Sequence, residues 1–228
     1  MTIKALVFDF DGLIIDSETP VFQTWRETFA KHGRELTIDF WADVIGRPPQ
    51  HSDLYTYVRD NFDSTIDADQ LRHAHFERIA ALTTLQPLLP GVIDYLESAK
   101  RLGLLLGLAS SSPRIHVHGH LERLGLLEYF RTTKCFEDTG KHKPDPTPYL
   151  AVLDELHVTA KDAVALEDSP NGVASAKAAG IFCVAVPNAI TRNLSLDRAD
   201  HRLESLADEP LESLLRRCYA SAQTGATP

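Results

Sequence analysis

A doubly wound α/β fold with an inserted helical unit is what this sequence predicts, and three observations predict it. Short apolar runs, each closed by Gly, Ser, Pro or Asp, alternate with helical stretches along most of the chain. Between about Asp16 and Leu85 the alternation stops and only helical patterns are found. Clusters of charged and hydroxyl residues then fall at the ends of the apolar runs, where open parallel sheets place their ligand sites.

Ile3 to Phe8 opens the chain as a continuous apolar run, the pattern of a parallel strand buried on both faces. Leu104 to Ala109, Ala163 to Leu166 and Ile181 to Val186 repeat it. Helices are predicted over Gly91 to Leu102, Pro113 to Leu124, Pro146 to Leu156 and Pro170 to Ala179. Several open with proline, whose missing N–H does no harm in a first turn. The inserted segment reads as four helices: Pro20 to Lys31, Ile38 to Val44, His51 to Asn61 and Ala68 to Leu85. Gln86 to Pro90 is its return linker, because two prolines resist helix continuation. Trp25, Phe29, Phe40 and Trp41 are the expected core of the insertion. The boundaries that follow are residues 1–15 and 87–228 for the α/β core and 16–86 for the helical insertion. Ser221 to Pro228, small and polar, is expected to fray.

A length of 228 residues accommodates one sizeable core and a smaller unit. The formal net charge of −9 argues against a nucleic-acid partner, which needs a basic face. A small anionic ligand held by a few local donors is not excluded. Asp9 and Asp11 interrupt the first apolar run too early for a signal peptide or a membrane span. The expectation is a cytoplasmic protein with no membrane partner, monomeric because no exposed apolar stripe is evident. Cys135, Cys183 and Cys218 are three thiols at wide spacing, expected to be reduced and structural.

Four clusters carry chemistry. The first run ends Phe8-Asp9-Phe10-Asp11-Gly12, with two carboxylates on alternate residues that leave the strand pointing roughly the same way. One can attack while the other moves protons. A solvated turn would use the same residue types, but two acids beside a near-continuous apolar strand are expensive. The second run ends in Ser110, Ser111 and Ser112 before a helix start, where hydroxyls and free N–H groups bind an anion; Ser112 as a helix N-cap is the ordinary alternative. Lys141 and Lys143 follow in a loop, and one of them can neutralise a transferring phosphoryl group. Finally Glu167 and Asp168 supply hard oxygen ligands suited to Mg2+, with Asp168 or Ser169 as the N-cap if the motif is only structural. Together these form a complete inventory for phosphoryl transfer.

The four clusters, FDFDGLIIDSE (Phe8 to Glu18), LASSS (Leu108 to Ser112), KPDP (Lys143 to Pro146) and LEDSPNGV (Leu166 to Val173), resemble the signatures of the haloacid-dehalogenase-like superfamily. The resemblance spans nearly the whole chain and fits its β-phosphoglucomutase-like branch. It implies a Rossmann-like core with a helical cap domain. It also implies Asp9 as a nucleophile forming an aspartyl phosphate and Asp11 as the acid/base. Ser110, Ser111 and Lys143 then hold the phosphoryl oxygens. Mg2+ takes Asp9, the Asp11 carbonyl and Asp168, with Glu167 in contact or close behind. The expected activity is a phosphatase acting on a small phosphorylated metabolite, such as a sugar phosphate. A β-phosphoglucomutase-like phosphotransferase and a non-catalytic binding protein are the alternatives. The branch's mutases carry a cap histidine where this chain has Val21, so no restraint on Asp11 is evident and water is expected to win over a sugar hydroxyl. Dehalogenases of the superfamily lack the second aspartate, so Asp11 counts against that chemistry.

Caps of this type direct the loop between two cap helices toward the active site, which makes Arg47 a candidate substrate-reading residue; Arg114, beside the serines, is a second. His116 and His120 share a helix face at a spacing that can bind zinc, yet no third ligand is evident and a surface histidine is the ordinary reading.

Overall fold

Ala5, Leu6, Val7 and Phe8 are buried without a polar interruption and form β1 (Ala5–Phe8), central in its sheet. The computed structural model to which it belongs describes residues 3–45 and 53–224. One unit comprises Met1–Ile15, Leu88–Asn188 and Ser195–Pro228; the other comprises Asp16–Pro87 and Ala189–Leu194. In the first unit β1 is joined by β2 (Leu105–Ala109), β3 (Thr132–Lys134), β4 (Ala163–Glu167), β5 (Phe182–Ala185) and β6 (His201–Arg202). All pairings are parallel and the order is β3-β2-β1-β4-β5-β6. The chain therefore winds outward from β1 in one direction and returns to wind in the other. The direction reverses between β1 and β4, which is where a doubly wound sheet opens a crevice. Phe8 lies level with both Leu108 and Leu166, so the loops leaving β1, β2 and β4 start side by side.

The second unit holds α1 (Glu18–Lys31), α2 (Ile38–Ile45), α3 (Leu54–Asn61) and α4 (Ala68–Thr84). Asp53 and Asp67 cap α3 and α4, each accepting two backbone N–H bonds. The helix start expected at His51 lies outside the described residues. Trp25, Phe29, Leu36, Trp41, Val44, Leu54 and Val58 form the core, and Ile190 joins it from the second segment. His75 is buried among them, 2.7 Å from Thr28 Oγ1 and edge-on to Trp25. Burial, then the charge of Lys31, lowers its pKa to about 4.

Back in the first unit follow α5 (Val92–Arg101), α6 (Arg114–Arg123), α7 (Phe136–Thr139), α8 (Thr147–Leu156), α9 (Pro170–Ala178) and α10 (Leu211–Thr224). Alternate strand residues serve opposite faces. Leu6, Phe8, Leu108, Val164 and Leu166 pack with Leu96 of α5, Val117 of α6 and Leu214 of α10. Ala5, Val7, Ala163 and Ala165 pack with Val152 of α8 and Ala176 of α9; their small side chains let those helices come close. The same alternation puts Asp9 and Glu167 on the α8/α9 side of the sheet.

The structure adds elements the sequence did not predict. β3 (TTK) has no apolar run and no fully buried residue, and β6 is two residues long, so neither carries a strand signal. Helix α10 runs to Thr224, into the segment expected to fray; Leu211, Leu214, Leu215 and Cys218 anchor it at helical spacing. Cys135, Cys183 and Cys218 are buried free thiols. Among the described residues no helix is long and apolar enough to cross a membrane.

Candidate active site

Asp9 is the first residue past β1, and its N–H donates to the Leu166 carbonyl at 3.0 Å. The β1–β4 ladder thus extends one residue into the loop and fixes the root of the carboxylate. Gly12 turns the chain away with φ +76°, and a Cβ there would lie 2.4 Å from Asp168 Oδ2 and 2.5 Å from Asn188 Nδ2. Only glycine satisfies both the left-handed conformation and that approach.

Lys143 reaches between the acids: its Nζ donates to Asp9 Oδ1 and to Glu167 Oε1, both at 2.6 Å. Tyr149 of α8 donates to the same Glu167 oxygen at 2.8 Å, and its ring lies 4.9 Å from the ammonium. Glu167 Oε2 accepts the N–H groups of Asp168 and Ser169 at 3.1 and 3.3 Å. Glu167 is therefore engaged on both oxygens while fully buried. Asp168 Oδ2 accepts from Asn188 Nδ2 at 2.8 Å, and Asn188 also donates to the Gly12 carbonyl at 3.2 Å. That amide ties the loop after β4 to the turn after β1.

Carboxylate oxygens of Asp9, Glu167 and Asp168 lie within 4.8 Å of one another, and all three residues are buried. Burial, then the charge of Glu167, pushes the Asp9 carboxyl up to about 8 despite the opposing Lys143. Burial disfavours the Lys143 ammonium, but the charges of Asp9 and Glu167 outweigh it and hold the group charged. Three acids around one ammonium can all be ionised only with an excess of buried negative charge, which is what raises the Asp9 carboxyl and what a bound cation would offset. A divalent cation fits that excess, and an all-oxygen donor set suits a hard one.

The Asp11 carboxylate is held separately. Its Oδ2 accepts from Ser112 Oγ at 2.6 Å and its Oδ1 from His116 Nε2 at 2.9 Å. Burial lowers the His116 pKa, but the hydrogen bond and charge of Asp11 raise it by more. Two expectations are corrected here. Ser112 is not the cap of α6; the N-cap is Pro113, without a side-chain hydrogen bond, and the Ser112 hydroxyl serves Asp11. Asp11 also has a restraint the sequence did not reveal, supplied by His116 on α6. Ser110 Oγ is buried and accepts the Ser112 N–H at 2.9 Å, and Ser111 Oγ accepts the Lys143 N–H at 3.0 Å. The first bond sets the shape of the serine loop, and the second, from Ser111 Oγ, ties the lysine loop to it. Ser169 caps α9 by accepting the Gly172 N–H at 3.1 Å, which leaves Asp168 to the acid cluster.

Asp9, Lys143, Glu167 and Asp168 are brought together, and Asp11, Ser110 and Ser111 stand on the adjoining loops. Arg114 is ion-paired with Asp138 of α7. Arg47 lies outside the described residues. Sequence reasoning missed Tyr149 and Asn188. Asn188 had a usable signal, since it follows the apolar run of β5 at the same carboxyl edge as the other site loops. Tyr149 had none, being one apolar residue of an amphipathic helix.

Acids gathered around one lysine at the reversal point of a doubly wound sheet make this an α/β protein with a candidate active site at the carboxyl edge of its strands. The family model for haloacid dehalogenase-like hydrolases matches residues 6–186, and the chain belongs to that family. YhcW of Bacillus subtilis (strain 168), provisionally named a phosphatase, is 40% identical over 213 residues, covering 93% of this chain and 96% of its own. The phosphorylated carbohydrates phosphatase of Thermotoga maritima is 32% identical over 178 residues, 78% of this chain and 82% of its own. The crystal structure of mutant CbbY from Rhodobacter sphaeroides with xylulose-(1,5)bisphosphate is similar at a TM-score of 0.73 and 28% identity, over 91% of this chain and 96% of that one. The chain falls among the phosphatases of its family.

Proposed function

We propose that this chain hydrolyses the phosphate monoester of a phosphorylated carbohydrate through a covalent intermediate on Asp9. The observation that carries the reading is the buried set of Asp9, Glu167 and Asp168 around Lys143, with a second acid, Asp11, held two residues from the first. Asp9 attacks phosphorus while Asp11 protonates the departing sugar oxygen. Water then attacks the aspartyl phosphate, and Asp11 takes its proton, which restores both acids. Lys143 offsets negative charge on the phosphoryl oxygens, and Ser110 and Ser111 shape the loop that faces them. Asp9, Asp168 and the Asp11 carbonyl would hold Mg2+, with Glu167 close behind; the ion supplies charge neutralisation for the attack of one anion on another. Residues 16–86 act as the cap that selects the substrate. The named activity of the Thermotoga relative and the sugar bisphosphate bound to CbbY support the carbohydrate part of the reading.

The test is inorganic phosphate release from a panel of sugar and polyol monophosphates, with and without EDTA, alongside Asp9→Asn. Release that matches sugar formation, stops with EDTA and is absent in Asp9→Asn is expected. Accumulation of an isomeric sugar phosphate with little free phosphate would refute hydrolysis in favour of mutase chemistry.

A further inference from the structure

We infer that His116 of α6 is a positioning residue for Asp11, holding that carboxylate so that it can carry protons. The inference rests on the reading of Asp11 as the acid/base. Each Asp11 oxygen has its own donor: Ser112 Oγ at 2.6 Å on Oδ2 and His116 Nε2 at 2.9 Å on Oδ1. A carboxylate offers about four acceptor sites, so two donors fix its plane without exhausting it.

The imidazole is itself held. It stands edge-on to Phe10 at 5.6 Å between ring centroids and an interplanar angle of 89°, and edge-on to His120 at 4.8 Å and 72°. Phe10 is fully buried and sits in the chain between Asp9 and Asp11. The ring packing therefore ties His116 to the same loop whose carboxylate it holds. An unsupported aspartate side chain samples several rotamers, and proton transfer tolerates little misplacement. Among the described residues, the acid group that could hold a metal comprises Asp9, Glu167 and Asp168, without either histidine. The i, i+4 histidine pair thus serves the acid loop: His116 binds Asp11 and His120 packs against His116 and Phe10.

Four variants test this: His116→Ala, His116→Gln, His116→Asn and Asp11→Asn, with His116→Ala also combined with Asp11→Asn. Steady-state kinetics on a sugar monophosphate and thermal melting are measured for each. Acid/base help is worth about 10²–10⁴-fold, so losing its alignment should lower kcat by roughly 10–100-fold in His116→Ala, with KM within about twofold. His116→Gln, whose amide can reach Asp11, should recover most of that loss. His116→Asn is too short and should not. In the Asp11→Asn background, His116→Ala should have no further effect, because a residue acting only through Asp11 has nothing left to position. An unchanged kcat in the folded His116→Ala protein, a change confined to KM, or additive losses in the double variant would each overturn the inference. If His116→Ala does not fold, the contrast between Gln and Asn decides alone, and equal kcat in those two overturns it. A full rate in Asp11→Asn would instead sink the acid/base reading itself, whatever His116 does.

Discussion

Gly172 is the position where one added methyl group tests the site most sharply. A Cβ there would lie 1.9 Å from Cδ and from both carboxylate oxygens of Glu167. On propensity alone, Gly172→Ala in the first turns of α9 should stabilise the helix by up to about 1 kcal/mol. The far end of a glutamate can ordinarily swing aside, but this one is anchored by Lys143 and Tyr149 on Oε1 and by two backbone N–H groups on Oε2. Moving it breaks or stretches at least two hydrogen bonds to a charged group, each worth about 1.5–3 kcal/mol. The loss outweighs the gain, and the net destabilisation is about 2–5 kcal/mol. For a chain of this size that is a drop of roughly 5–20 °C in Tm. Because Lys143 bridges Glu167 and Asp9, turnover should fall by at least about tenfold in the surviving folded protein. Thermal and urea melts with phosphate-release kinetics measure both. A Gly172→Ala protein as stable as the parent or more so, with unchanged turnover, would refute the placement of Glu167 on which the site's charge balance rests.

Three other outcomes follow from the same geometry. Asn188→Ala removes the donor that orients Asp168 and should weaken Mg2+ binding by about 10–100-fold; calorimetric titration of the metal, without substrate, measures it. Lys143→Ala should lose stability as well as turnover, since removing the cation strands two buried acids, a change worth about 3–5 kcal/mol; melts in the absence of metal show it. His75 makes the helical unit acid-sensitive. Its folded pKa, about 4, lies below the ordinary 6.5, so the unfolded chain takes up the proton first as pH falls. The contribution is present above about pH 6.5 and is lost progressively toward pH 4, so His75→Gln should show a flatter Tm between those limits than the parent.

Much of this protein is written in local sequence. The runs of β1, β2, β4 and β5 could be read because strands buried on both faces have no polar residues to hide them, and the motifs at their ends are contiguous. Asp9, Glu167 and Asp168 were each identifiable because their chemistry is unusual where it stands, at the edge of an apolar run, whereas Lys143, in a polar loop, was singled out from Lys141 only by the KPDP signature. β3 and β6 were not legible, since a short polar edge strand is specified by its neighbour's unpaired backbone rather than by its own side chains. The pairing of parts was decided only in three dimensions. Ser112 reads locally as a cap and becomes the donor to Asp11. His116 reads as a surface residue and becomes its second donor. Tyr149 and Asn188 join Glu167 and Asp168 from helices and loops 18 and 20 residues away. Local propensity records what one segment prefers for itself. A hydrogen bond between distant segments depends on strand order and register, and those are settled by the packing of the whole sheet.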